Sequence, residues 1–138
     1  MSMKYDGELL EQIKVFENIT KVPLKESFYF KDKLTFMVES GKMWKALGKN
    51  KTNLLRLEKL FNKQIRIIEF NDEMHKFIAN LIAPLKIVSM TEEDGVVTLK
   101  GPDTKTKGLM IGSKAKNLRE TEVVVKKHFP DLKEIKVI

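Results

Sequence analysis

Gly48-Lys49-Asn50-Lys51-Thr52-Asn53-Leu54 and Gly112-Ser113-Lys114-Ala115-Lys116-Asn117-Leu118 are one phrase written twice. In each copy a glycine follows a short apolar stub, Ala46-Leu47 or Leu109-Met110-Ile111. Polar or basic residues come next, and Asn-Leu opens a helix. The glycines stand 64 positions apart, about half of the 138-residue chain. A glycine turn between two helices lets backbone approach a ligand without an intervening Cβ. The following helix start offers N–H groups and partial positive charge, an environment that suits phosphate.

The elements around the phrase repeat with it. Leu9, Ile13 and Phe16 share one face of a helix over Tyr5–Asn18, ended by Val22-Pro23. Strands follow over Ser27–Phe30 and Leu34–Val38, joined by the polar turn Lys31-Asp32-Lys33. A short helix over Lys42–Leu47 leads into the first glycine turn. Asn53–Phe61 is the next helix, with Leu54, Leu57, Leu60 and Phe61 inward, and Gln64–Phe70 is a strand rich in isoleucine. The order then restarts. Asp72 caps a helix carrying Met74, Phe77, Ile78, Leu81 and Ile82, and Leu85–Met90 reads as a strand. Asp94-Gly95 is a hairpin turn into Val96–Lys100. Thr104–Ile111 is the second short helix, Asn117–His128 the long helix and Leu132–Ile138 the last strand. Val123-Val124-Val125 alone suggests a strand, but the repeat register requires a helix there. Two α+β modules are predicted, 1–71 and 72–138, each ordered helix, strand, strand, helix, turn, helix, strand. Modules of this size are marginal alone, so tight packing of the pair is expected.

Charge follows the same repeat. The chain has 26 Lys and Arg against 19 Asp and Glu, a formal net charge of +7 that favours an anionic partner. Lys42, Lys45, Lys49, Lys51, Arg56, Lys59 and Lys63 surround the first turn against Glu58 alone. Lys105, Lys107, Lys114, Lys116 and Arg119 surround the second, with no acid between Thr104 and Arg119. With no cysteine there are no disulfides or thiolate metal sites, which fits a cytoplasmic protein. No apolar run approaches a membrane span and the N-terminus lacks an apolar signal core, so no membrane partner is expected.

Strand, short helix, glycine loop, longer helix and strand together resemble the KH domain, whose G-x-x-G loop clamps about four nucleotides of single-stranded backbone. The helix and strand preceding that core in each half resemble the type II variant, with a three-stranded mixed sheet. Leu57-Glu58-Lys59-Leu60, Gln64-Ile65-Arg66-Ile67-Ile68-Glu69-Phe70 and Lys107-Gly108-Leu109-Met110-Ile111-Gly112 carry the resemblance. Lys127-His128-Phe129 adds to it, and Phe77-Ile78-Ala79-Asn80-Leu81-Ile82-Ala83-Pro84 between the modules is its most specific part. A tandem of this length is similar to the archaeal NusA-like transcription factors. The resemblance implies RNA binding in transcription termination, antitermination or elongation, with RNA polymerase or other transcription components as further partners. It places RNA phosphates over Gly48 and Gly112, with Lys49, Asn50, Lys51, Ser113, Lys114, Ala115 and Lys116 in the loops and Lys45, Arg56 and Arg119 flanking. The family loop is Gly-Lys-Gly-Gly, and here Lys51 and Ala115 replace the second glycine. Both restrict φ and add a Cβ where backbone and phosphate meet, which gives a second reading: a protein-interaction adaptor on KH scaffolds with weak or lost RNA binding.

Other signals fail. Gly48-Lys49 lacks the spacing and the hydroxyl residue of a triphosphate loop. His75 and His128 have no partners at metal-ligand spacing. Asp72-Glu73 and Glu92-Glu93-Asp94 suit capping and solvation. No catalytic constellation, metal or organic cofactor is indicated, and a non-enzymatic monomer is expected. Trp44 is read as packing on the core, with base stacking as the second reading.

Overall fold

The computed structural model describes residues 7–138, so Tyr5 and Asp6 of the first predicted helix lie outside the described residues. The chain divides into two compact α+β units, one running to Phe70 and the other from Asn71 to Ile138. The first contains α1 (Gly7–Thr20), β1 (Glu26–Phe30), β2 (Lys33–Val38), α2 (Met43–Leu47), α3 (Thr52–Phe61) and β3 (Ile65–Glu69). The second contains α4 (Met74–Ile82), β4 (Ser89–Glu93), β5 (Val96–Lys100), α5 (Thr104–Ile111), α6 (Lys116–His128) and β6 (Glu134–Val137).

Each unit holds one three-stranded mixed sheet, ordered β1-β2-β3 or β4-β5-β6. The first two strands are an antiparallel hairpin and the third runs parallel to the second. Both hairpins close with two residues at positive φ, Lys31-Asp32 and Asp94-Gly95, the twist that matches paired strands. In the first unit, Phe16 of α1, Ala46 and Leu47 of α2 and Leu57 of α3 pack with Leu34, Phe36, Val38, Ile65 and Ile67. Phe16 and Phe36 stack at 4.8 Å between ring centroids. In the second, Phe77, Ile78, Leu81 and Ile82 of α4 are buried, as are Val97, Leu99, Met110, Leu118, Val125 and Ile135.

Carboxylates tie the third strand of each sheet to the helix before it. Glu58 of α3 accepts the Ile65 amide at 3.1 Å, and Glu122 of α6 accepts the Ile135 amide at 2.7 Å. These two glutamates occupy the same place in the 64-residue repeat. The amides they hold are 70 positions apart, because α6 is three residues longer than α3, its connection to the strand is two longer, and Ile135 is the second residue of β6 where Ile65 is the first of β3. Asn62 in the left-handed conformation stops α3, its amide and that of Lys63 both turning back to the Glu58 carbonyl.

Several local expectations are corrected. β4 begins at Ser89, not Leu85, because the Asp94-Gly95 turn sets the register from Glu93↔Val96 back to Ser89↔Lys100. Apart from half-buried Met90 the paired residues are polar and exposed, as befits an edge strand, so the apolar run before them misled. Asp72 does not cap α4. Glu73 stands at that position without a side-chain bond, and Asn71 Oδ1 accepts the Glu73 amide at 2.8 Å. Leu60 is 63% exposed, since it falls roughly 120° around α3 from Leu54, outside the stripe of Leu54, Leu57 and Phe61. The valine run lies in α6, with Val125 buried and Val123 exposed.

Glu122→Ala would leave a buried strand amide without an acceptor, and should lower stability by about 2 kcal/mol in denaturant titrations. Glu122→Gln keeps an acceptor oxygen and should lose less.

Candidate nucleic-acid interface

The two glycine turns are built alike from unlike residues. α2 is only five residues long, but buried Ala46 and Leu47 root it in the core. The Glu69 carboxylate at the end of β3 holds its start, accepting the amides of Gly41 at 2.7 Å and Met43 at 3.3 Å. α5 is rooted by buried Met110 and capped by Asp103, whose carboxylate accepts the Thr106 amide at 2.7 Å. Gly48 and Gly112 end these helices, donating to the carbonyls of Trp44 and Gly108. A 3₁₀ turn follows each glycine, over Lys49–Lys51 and Ser113–Ala115, and leads into α3 or α6.

Backbone angles separate what the first glycine does from what a second would do. Gly48 lies at φ 79°, ψ 166° and Gly112 at φ 75°, ψ 172°. That region is essentially closed to residues with a Cβ. Asn50 and Lys51 lie at φ 56° and 58°, and Lys114 and Ala115 at φ 53° and 61°, with ψ between 23° and 33°. This is the left-handed helical region, which an L-residue can occupy at about 1–2 kcal/mol. Lys51 and Ala115 therefore follow the same left-handed path in the two turns, at the strain that their restricted φ implies. The 3₁₀ bonds agree: Lys51 N–H donates to Gly48 O at 3.0 Å, and Ala115 N–H to Gly112 O at 3.2 Å.

The asparagine of the phrase also has a different task from the one its position suggested. α3 and α6 begin one residue earlier than predicted, at Thr52 and Lys116, and Lys51 and Ala115 precede them without side-chain caps. Asn53 instead reaches back across the turn, its Nδ2 donating to Lys45 O of α2 at 3.3 Å. Asn117 does the same to Leu109 O of α5 at 3.0 Å. A Cβ at Gly48 would stand 2.9 Å from Asn53 Cγ, and one at Gly112 would stand 2.7 Å from Asn117 Cγ. Glycine and asparagine thus form one clasp between the short helix and the long one. Their shared spacing was the visible signal of it.

Lys45, Lys49, Asn50, Lys51 and Arg56 are exposed at the first turn, and Gly48 is half-buried. At the second, Ser113, Lys114, Lys116 and Arg119 are exposed, with Gly112 and Ala115 half-buried. Arg119 is held to Glu122 at 2.7 Å, and that hydrogen bond together with the Glu122 charge raises its pKa. It flanks the turn as part of an ion pair. Trp44 is 84% exposed, so the core-packing expectation is overturned. Asp103 has its pKa lowered, chiefly by the Thr106 amide and then by the Thr106 side chain, with Lys105 and Lys107 adding to it.

Two outcomes follow at the turns. Gly112→Ala should destabilise by roughly 2 kcal/mol or more, because strain and the Asn117 clash act together. Ala115→Gly, three residues on, should be neutral or stabilise by up to about 1 kcal/mol, relief of the left-handed backbone outweighing unfolded-state entropy. Thermal melts of both variants check this opposition. Asp103, with its folded pKa depressed, stabilises fully above the unfolded carboxyl pKa and loses the effect as pH falls through the folded value. Asp103→Ala should therefore melt below the parent at pH 7 and converge with it as acidification carries the pH below the ordinary carboxylate range.

No family model matches the chain. A protein of Methanocaldococcus jannaschii named "Probable transcription termination protein NusA" is 32% identical over 135 residues, spanning 95% of this chain and 73% of that one. Proteins with the same name from Methanococcus vannielii and Halococcus morrhuae are 28% and 25% identical. They match 100% and 94% of this chain and 81% and 94% of their own lengths. The crystal structure of APE1850 superposes with a TM-score of 0.69 at 26% identity, covering 94% of this chain and 96% of that one. The two α+β units with their mixed sheets are KH-like modules. With a third of its residues shared with a relative along nearly its whole length, the chain belongs to the archaeal NusA-like family.

Proposed function

We propose that the protein binds single-stranded RNA at its two glycine turns and takes part in transcription termination, antitermination or elongation. The observation that carries this reading is the common backbone of the turns, an obligate glycine, one intervening residue and then two left-handed residues, set among exposed lysines in both units. RNA phosphates pass over the exposed backbone of the turns that begin at Gly48 and Gly112. Lys49, Lys51, Lys114 and Lys116 supply charge, with Lys45 and Arg56 flanking the first turn and the Arg119–Glu122 pair the second. The relatives' name supports the transcription context, in which nascent RNA is the ligand and RNA polymerase the neighbouring partner.

The adaptor reading drew its motive from the lost second glycine. Lys51 and Ala115 in the left-handed region answer the part of that motive that rests on φ, while the Cβ that each adds remains.

Fluorescence anisotropy with a labelled single-stranded RNA, repeated across salt concentrations, tests the proposal. Affinity should fall with salt, the logarithmic slope being roughly 0.7 per phosphate neutralised. Lys49→Glu combined with Lys114→Glu should weaken binding to all sequences alike and flatten the slope by about 1.4. Unchanged affinity in the double variant would refute the turn mechanism, and no binding of the parent at low salt would favour the adaptor.

A further inference from the structure

Trp44 is the single tryptophan of the chain and its most exposed large apolar side chain among the described residues, at 84%. Tryptophan is ordinarily well buried, because its ring removes a large apolar area from water. Its exposure here does not come from a loose segment. Ala46 and Leu47, two and three residues on, are buried in the core, and Glu69 fixes the amides just before it. The carbonyl of Lys45 is held by the Asn53 clasp. The indole therefore projects into solvent from one of the most firmly anchored stretches of the first unit.

Its position relates it to the turn. Trp44 O accepts the Gly48 amide at 3.1 Å, so the tryptophan lies one helical turn before the glycine, on the same side of α2. Exposed Lys42, Lys45 and Lys49 flank it in the chain and no Asp or Glu occurs from Gly41 to Leu57, while the Glu69 carboxylate at the start of α2 is engaged with the amides of Gly41 and Met43. A flat, rigid π-face amid cations is what a single-stranded nucleic acid uses: charge tracks the backbone while bases stack on the ring. A protein partner seeking an apolar anchor would have to accommodate the same concentrated positive charge, so the surroundings favour a polyanion. The second unit differs. Gly108 stands at the repeat position of Trp44, and its carbonyl makes the same bond to the turn glycine, Gly112.

We propose that Trp44 is a base-stacking platform for single-stranded RNA, which the first unit has and the second lacks. The inference rests on the reading that phosphates sit at the glycine turns, and adds that one base next to the Gly48 turn leaves its stack and lies on the indole. The second unit then contributes backbone contact alone.

The lone tryptophan is its own reporter. An adenine-rich RNA of about ten nucleotides, within the range one such site spans, is titrated against the intact protein. A strand of equal length built from abasic sugar-phosphate is titrated in parallel. RNA should quench Trp44 emission and the abasic strand should leave it nearly unchanged while still binding. Trp44→Leu should raise the Kd for RNA about five- to one-hundred-fold, the range for losing one stacked base, and should not alter the Kd for the abasic strand. Trp44→Phe should fall between. Because the side chain is exposed, all three proteins should give the same circular dichroism spectrum. RNA that binds without quenching, together with a Trp44→Leu variant of unchanged affinity, overturns the platform, leaves the phosphate reading standing and assigns the indole to a protein contact. Failure of both strands to bind the parent at low salt overturns the phosphate reading and this inference with it.

Discussion

A side-chain amide crossing beneath a glycine holds each helix pair of this protein together. Asn53 and Asn117 can donate to the preceding helix only because Gly48 and Gly112 leave empty the space a Cβ would fill. The glycine is required a second time by its own backbone, which lies where other residues are essentially excluded. These two demands meet at one position and fix the angle at which α2 enters α3 and α5 enters α6. The burial of Ala46 and Met110, and the display of lysines between the helices, depend on that junction.

Acids and bases are divided between two kinds of work. Glu58, Glu69, Asp103 and Glu122 each accept a backbone amide, as Glu17 does from Leu24 at 2.8 Å. These carboxylates serve as internal ties between helices, strands and loops, where a charged acceptor makes a stronger bond than a neutral one. The lysines at the turns are left at the surface. The formal charge of +7 thus understates the local contrast, since no acid occurs from Gly41 to Leu57 or from Thr104 to Arg119.

The order of elements was legible because the phrase repeats with its surroundings. The helices show apolar stripes, and Asp94-Gly95 marks a hairpin whatever its neighbours are. Even the valine run of α6 could be assigned from register. The site was legible as a pair of basic glycine turns, but not as geometry. Left-handed lysine and alanine carry no sequence signal, because they occupy that region only when the flanking helices impose it. The asparagine clasp was hidden behind the more familiar role of asparagine at a helix start. Trp44 was misjudged since a large apolar residue on a short helix is ordinarily a core residue, and only tertiary packing reveals that Ala46 and Leu47 take the inward places. β4 was displaced because an edge strand need not be apolar, and Asp72 because Asn71 supplies the turn oxygen one residue earlier.

Left-handed backbone at the last two positions of each turn makes the frame indifferent to what those positions carry. Asn50-Lys51 and Lys114-Ala115 are interchangeable inserts in one mould, differing in charge placement and bulk while following the same path. Each half of the chain can therefore be tuned in electrostatic strength by exchanging side chains at these sockets, without re-aiming either helix.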